Sequence, residues 1–277
     1  MSSAMEKLLA AVNKTKATGF KDDNTDKYWK VEGDQAGNGY AIIRFLPGKT
    51  DDDVPFIKTY SHGFKNDSGR WFIEQCPTSL GNNCPVCDSN APLWNSGIES
   101  DKDIVRQRKR KTAYISNILV VSDPKNPDNE GKTFVFKYGQ KIFDKVVGAL
   151  TPEFDDEKAM NPFDLEEGAN FKLKMRRVEG YANFDKSEFD APKAVKNKDV
   201  VMGGIHDLYK LHTYKSYDEL QTKFNLILFN NGTKKAVEKD DEEFVRDAVK
   251  KPANKAAPVA DEEDDDLAYF SKLAAED

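Results

Sequence analysis

The placement of the cysteines constrains this chain more than any other feature. All three cysteines and one of the three histidines fall in the pattern His62-x13-Cys76-x7-Cys84-x2-Cys87. Cys84-Pro85-Val86-Cys87 has the form of a zinc knuckle, in which a two-residue gap lets two thiolates reach one ion from a single tight turn. Zinc in structural sites takes four tetrahedral nitrogen or sulfur ligands, and a filled set leaves no position for a substrate. The expectation is therefore one closed, structural Zn2+ on His62, Cys76, Cys84 and Cys87. One alternative is a redox pair of Cys84 and Cys87, with Cys76 a small buried apolar side chain. That motif needs no third cysteine, and no thioredoxin-like βαβ pattern surrounds it. Another places His206 or His212, far downstream, as fourth ligand. A zinc deaminase would need His-x-Glu and then Pro-Cys-x-x-Cys. Here Gly63-Phe64 follow His62, Asn83 precedes Cys84, and Cys76 takes the place a reactive water requires.

At 277 residues the chain can hold one large domain or two small ones. Hydrophobic content of 38% against 32% charged residues implies that part of it is not packed. An odd cysteine count in metal spacing argues for a reducing compartment. The first twelve residues lack the basic region and apolar length of a signal peptide, and no run approaches membrane-spanning length. A soluble, intracellular protein is expected. The net charge of −6 is unevenly spread: residues 259–277 carry eight acids against Lys272 alone, so the rest is close to neutral. Within that body, Lys102 to Lys145 holds eleven lysines and arginines against five acids. A basic centre with an acidic tail is the pattern of a polyanion binder that carries its own competitor.

Residues 1–18 read as an N-terminal arm for self-association, with Ser3 and Glu6 as a capping box and Leu8, Leu9 and Val12 as a short apolar stripe. The stretch 19–39 is polar and turn-rich. Strands are expected over Tyr40–Leu46, Pro55–Tyr60, Arg70–Glu74, Lys111–Val121, Thr133–Tyr138 and Asn170–Val178. Helix is expected within Ala91–Val105, limited by Pro92 and Gly97. A second helix is expected over Gln140–Leu150, with Ile142, Val146, Val147 and Leu150 facing inward. A third covers Ser216–Phe229, capped by Ser216 and Glu219 and burying Tyr217, Leu220, Phe224, Ile227 and Leu228. Residues 233–277 read as an acidic, mostly disordered protein-interaction tail. The core, 19–232, includes a zinc subdomain at about 58–110. Several short strands with few helices imply a mainly β fold with α inserts, a small barrel.

Arg106-Gln107-Arg108-Lys109-Arg110-Lys111 is a dense basic run leading straight into the strand that carries Tyr114. Phe134, Phe136 and Tyr138 alternate along the next strand beside Lys137. Tyr181 and Phe184 flank Asn183 after Arg176-Arg177, and Trp71 and Trp94 bracket the zinc segment. Cations neutralise phosphates, and unpaired bases stack on rings at roughly 1–3 kcal/mol each. Duplex DNA hides its base faces, so rings in a cationic groove select single strands. Each aromatic alone is as well explained by core packing.

Several segments, in order, resemble the gene 32 family of single-stranded DNA-binding proteins of T-even-type bacteriophages. They are Ala41-Ile42-Ile43-Arg44-Phe45-Leu46-Pro47, His62-Gly63-Phe64-Lys65, Cys84-Pro85-Val86-Cys87, Lys109-Arg110-Lys111-Thr112, Asn117-Ile118-Leu119-Val120-Val121, Asn129-Glu130-Gly131-Lys132 and Glu167-Gly168-Ala169-Asn170-Phe171. The resemblance implies an OB-fold core, a zinc-binding subdomain and a positively charged cleft. It also implies cooperative, largely sequence-independent binding of single-stranded DNA in phage replication, recombination and repair, in the cytoplasm of the infected host. Its zinc ligands fall on His62, Cys76, Cys84 and Cys87, and its cleft residues on Trp94, Lys109, Arg110, Lys111, Tyr114, Phe136, Tyr181 and Phe184. Arg44, Arg108 and Tyr138 complete the set expected to contact DNA. Three departures stand out, one being that some family tyrosines near the zinc site have no aromatic counterpart in this sequence. The family's Tyr-Trp pair is Tyr114-Ile115 here, and its basic Lys-Arg-Lys-Ser-Thr motif in the arm is matched only loosely, by Lys14-Thr15-Lys16. In the family the acidic tail is a docking site for replication and recombination proteins and a screen over the cleft. Two other classes compete with a non-enzymatic DNA-binding protein. One is a protein-interaction adaptor built on zinc and tail, with the basic run merely solvated. The other is a zinc-dependent nucleic-acid enzyme, which the filled ligand set disfavours.

Overall fold

The computed structural model describes residues 24–50, 53–154 and 156–229. The arm at 1–18 and the tail at 233–277 lie outside the described residues. The strands are β1 (Tyr28–Trp29), β2 (Gly39–Phe45), β3 (Phe56–Lys65), β4 (Trp71–Gln75), β5 (Lys111–Ser122), β6 (Thr133–Tyr138), β7 (Ala169–Val178), β8 (Tyr181–Asn183) and β9 (Glu188–Pro192). The helices are α1 (Pro85–Asn95), α2 (Glu99–Arg108), α3 (Gln140–Leu150), α4 (Lys198–Gly203) and α5 (Tyr217–Phe229). The order β1-β6-β5-β2-β7-β8 forms the main path, with β3 pairing β5 and β4, and β9 pairing β7. The ladders are antiparallel except the short parallel pair of β1 and β6.

β5 is the centre of this arrangement because three strands share it. Its first half pairs with β3, its second with β2, and its middle with β6. Ala113 to Ile118 are all buried, since both faces of the strand are covered. One face joins the main core of Trp29, Ile43, Phe45, Phe136, Tyr138, Phe163, Phe171 and Leu173. The other contributes Ile115 to a smaller cluster with Val135, Leu208 and Leu211. Among the described residues no ladder joins the β6 side to the β7 side, so the sheet of the expected small barrel is not closed. α3 lies against its core through Ile142 and Val146, four residues apart on one stripe. Val147 and Leu150, expected inward, are substantially exposed instead. Phe143, on the same flank of the helix as those two but one to two turns earlier, packs on Tyr114.

The chain segment between β2 and β5 builds a second lobe. Phe64 and Phe72 stack 5.0 Å apart across the β3–β4 hairpin, and Phe224 meets both edge-on. Val86, Val105, Leu220 and Ile227 close this second core around the three cysteines. α5 thus returns from the C-terminal end to roof the lobe. Its start is a capping box: Ser216 N–H donates to Glu219 Oε2 at 2.8 Å, and Glu219 N–H reaches Ser216 Oγ at 3.4 Å. Leu220, Phe224 and Ile227 are buried as expected, whereas Tyr217 is 40% exposed. β3 runs on past the anticipated end at Tyr60 to Lys65, which puts His62 on a strand.

Candidate metal centre and nucleic-acid interface

His62 sits on β3, opposite Glu74 of β4. Cys76 follows β4 directly, Cys84 caps the N-terminus of α1, and Cys87 lies in its first turn. Pro85 at the first helical position fits because that turn needs no N–H there. The two-residue gap therefore spans a helix start, which turns both sulfurs to one side. All three cysteines are free and buried. The four donor atoms lie within 4.8 Å of one another. Cys76 Sγ and Cys87 Sγ are 3.7 Å apart, and His62 Nε2 is 3.5 Å from both Cys84 Sγ and Cys87 Sγ. A tetrahedral zinc ion with bonds of about 2.3 Å to sulfur and 2.0 Å to nitrogen requires edges of about 3.8 and 3.5 Å. The donor set fits a metal of that kind.

The surroundings agree. His62 Nδ1 is 3.0 Å from the carbonyl oxygen of Arg108, which fixes the tautomer with Nε2 facing the sulfurs. Burial disfavours charge on His62, but the neighbouring Cys76 and Cys84 outweigh it and push its pKa up to about 9. Hydrogen bonds with Cys84 and Cys87 draw Cys76 far down, while those with Cys76 and Cys84 drive Cys87 up. His206 and His212 are not part of this donor group: Asn117 holds the backbone of His206, and His212 stacks on Tyr28.

The basic run begins on α2 and ends on β5. Arg106 is exposed and bonded to Glu99 and Asp103. Arg108 is half-buried, its guanidinium about 6 Å from the Phe64 and Phe224 rings. Lys109 turns the chain out of the helix, and Lys111 is exposed at the start of β5. Arg110 lies buried between them, its guanidinium 3.8 Å from the centroid of Tyr60 and donating to Thr78 Oγ1.

The expected aromatic platforms divide. Tyr114, Phe136 and Tyr138 are only 3%, 4% and 4% exposed, so the expectation that they face solvent as open stacking platforms is corrected. Residues two apart on a strand share a face, and the shared face of β6 meets Trp29 and Phe45. Phe143 lies on Tyr114 at 3.8 Å and 6°, in the position a stacked base would take. Arg44 is corrected as well. It is fully buried and donates to the carbonyl oxygens of Lys193 and Asp164 at 3.0 and 2.5 Å. A Cβ on Gly168 would come within 2.9 Å of Arg44 Nη2 and 2.5 Å of Asp164 O, so the glycine of the Glu167–Phe171 segment serves this contact. Tyr181 is 54% exposed, presented by a tight hairpin through Glu179 and Gly180, both at positive φ. Phe184 is half-buried against the main core. Trp94 is half-buried, with Lys102 and Arg106 each 5.8 Å from its ring. The ladders place the β7–β8 hairpin towards the Ser122 end of β5 and the basic run at its Lys111 end.

Lys58 and Tyr60 were not picked out from sequence. Lys58 Nζ is 5.6 Å from the Tyr60 ring and 5.9 Å from the Tyr114 ring. The signal that could have found them is the alternation Lys58, Tyr60, His62, which puts both on the metal ligand's face of β3.

The protein-family model described as gp32 DNA binding protein like matches residues 37–228. The chain is 39% identical over 226 residues to the single-stranded DNA-binding protein of Enterobacteria phage T2, covering 76% of this chain and 72% of that one. The phage T4 protein of the same name gives the same figures. A third such protein, from Enterobacteria phage RB70, is 42% identical over 100 residues, covering 35% of this chain and 80% of that one. With the match spanning both the sheet and the cysteine lobe, the chain belongs to the gp32-like DNA-binding protein family.

Proposed function

We propose that this chain is a non-enzymatic protein that binds single-stranded DNA with little sequence preference. It coats and protects unpaired strands during phage DNA replication, recombination and repair in the cytoplasm of the infected host. The observation that carries this reading, beside the family, is the junction at Arg108–Lys111: a cationic segment leads out of the metal lobe into the central strand of the sheet. Lys109 and Lys111 would neutralise phosphates. Tyr181, with Trp94 and Phe184 less exposed, offers ring faces on which unpaired bases stack. One Zn2+ held by His62, Cys76, Cys84 and Cys87 would be structural, tying β3, the loop after β4 and α1 together. The open sheet with α3 over one end of its core is read as an OB-type fold with a zinc subdomain at about 58–110. Residues 1–18 would serve cooperative assembly on DNA, and 233–277 would dock replication and recombination proteins.

The test is a fluorescence titration of the full chain with poly-dT at two salt concentrations and with a duplex of equal length, paired with a zinc assay. The expected result is one zinc per chain, weak duplex binding, and a log affinity falling by about 0.7 per neutralised phosphate for each log unit of salt. Binding that ignores salt, or equal affinity for duplex, overturns the reading.

A further inference from the structure

We propose that a groove between the Val121 end of β5 and α4 is a docking site for residues 264–270 of this chain's own acidic tail. The inference goes beyond the DNA-binding reading and needs no nucleic acid. The groove has room of about 290 Å3. Its lining includes Leu119, Val121, Val195, Val200 and Val201, with Lys193 and Lys196 and no acid. Val121 is 37% and Val200 75% exposed, so aliphatic surface stands in water there. Neither lysine is in an ion pair; Asp190 feels the charge of Lys193 but pairs with Lys172 at 3.1 Å. Asn197 begins α4 without bonding its side chain to the helix, which leaves its amide for an incoming backbone.

The occupant follows from the chemistry. Aliphatic side chains beside two cations fit a segment that carries acids directly before apolar residues. The tail has that order: Asp264, Asp265 and Asp266 run into Leu267, Tyr269 and Phe270. Leu267 and Phe270 would cover the exposed valines while the acids meet Lys193 and Lys196. Residues 1–18 are the reverse, apolar with Lys7, Lys14 and Lys16 against Glu6 alone, and the two lysines would repel them. A second acid run, Asp240 to Glu243 before Phe244 and Val245, is weaker bait: over 234–251 six acids balance six lysines and arginines. The groove beside α3 disfavours the tail, since Asp144, Glu153, Glu157 and Glu188 line it. Reach is no obstacle. Residues 230–263 extend to about 110 Å, against on the order of 40 Å across a fold of this size. From Lys111 to Val121 the strand rises about 33 Å. A tail seated at the Val121 end therefore leaves the basic run uncovered, and withholds Leu267 and Phe270 from any protein that would take them.

The test is NMR of the full, metal-loaded chain, labelled with 15N and at leucine and valine methyls. Leu267→Ser with Phe270→Ser should shift the methyl signals of Leu119, Val121, Val195, Val200 and Val201 equally at all protein concentrations. Free peptide 259–277 added to that variant should shift them back. With Lys193→Gln and Lys196→Gln also present, roughly 2- to 30-fold more peptide should be needed. The Arg44 bond to the Lys193 carbonyl uses the backbone and survives these changes. Unmoved groove methyls, shifts confined to residues 109–114, or the same shifts from Phe244→Ser alone overturn the proposal. A response that vanishes on dilution assigns the groove to a neighbouring copy's tail and overturns docking within one chain.

Discussion

Stripping the metal from the cysteine lobe at neutral pH should unfold that lobe and leave the sheet core in place. The lobe's interior is ten buried residues, of which three are Cys76, Cys84 and Cys87, leaving seven apolar side chains to hold it. An assembly of that size rarely stands without a staple. Structural zinc contributes about 10–16 kcal/mol to folding in small metal-dependent domains, against about 5–15 kcal/mol for the net stability of a whole domain. Removing such a term exceeds anything the remaining seven side chains can replace. The main core around Ile43, Phe45, Ile118, Val120 and Phe171 is built from other residues and makes no call on the metal. Hydrogen–deuterium exchange before and after treatment with a strong chelator reads both regions at once. Peptides over Phe64–Val105 should lose protection by several orders of magnitude, and those over β2 and Ile118–Val120 should keep theirs. Full protection of the lobe after loss of the metal, verified by atomic absorption, would refute the reasoning. So would collapse of both regions in one step.

Arg44→Met should cost about 3 kcal/mol in urea denaturation, because the carbonyls of Asp164 and Lys193 lose their buried donors, with the DNA affinity of the folded protein unchanged. Phe136→Ala should lose about 3–5 kcal/mol of stability as a core cavity. Tyr181→Ala should stay within about 0.5 kcal/mol in stability yet lose about 1–3 kcal/mol of poly-dT binding. Lys109→Ala and Lys111→Ala should each flatten the salt dependence of binding by about 0.7. The hydrogen bond from Arg176 holds the Asp185 carboxyl at about 2, below its ordinary 3.8. A depressed carboxylate stabilises the fold above about pH 4 and loses that contribution as pH falls towards 2. The stability gap between wild type and Asp185→Asn in acid melts should close over that window.

The failures of sequence reasoning share one cause. The rings at Tyr114, Phe136 and Tyr138 look the same whether they face DNA or the core, since alternation fixes which residues share a face and says nothing about what covers it. The second layer was α3, whose Phe143 lies over Tyr114. Val147 and Leu150 were assigned inward because four apolar residues fit one broad stripe, whereas the folded chain buries only Ile142 and Val146 and, on the other two residues' flank, brings Phe143 against Tyr114. Arg44 shows the same ambiguity in a charged residue. Nothing local distinguishes a phosphate-binding arginine from one that satisfies two carbonyls, until residues 120 and 149 positions away arrive beside it.

What the amino-acid order settled alone was everything that depends on short spacing. The two-residue gap between Cys84 and Cys87, the capping box at Ser216, the turn glycines and the alternating strands are properties of neighbouring residues, and local stereochemistry leaves them little freedom. What only the folded chain decided was the meeting of distant parts: His62 brought to Cys76, Cys84 and Cys87 by the β3–β4 hairpin, Arg110 laid on Tyr60, and three strands sharing β5. Those contacts are chosen by which surfaces exclude water together, and that choice is a property of the whole chain rather than of any stretch of it.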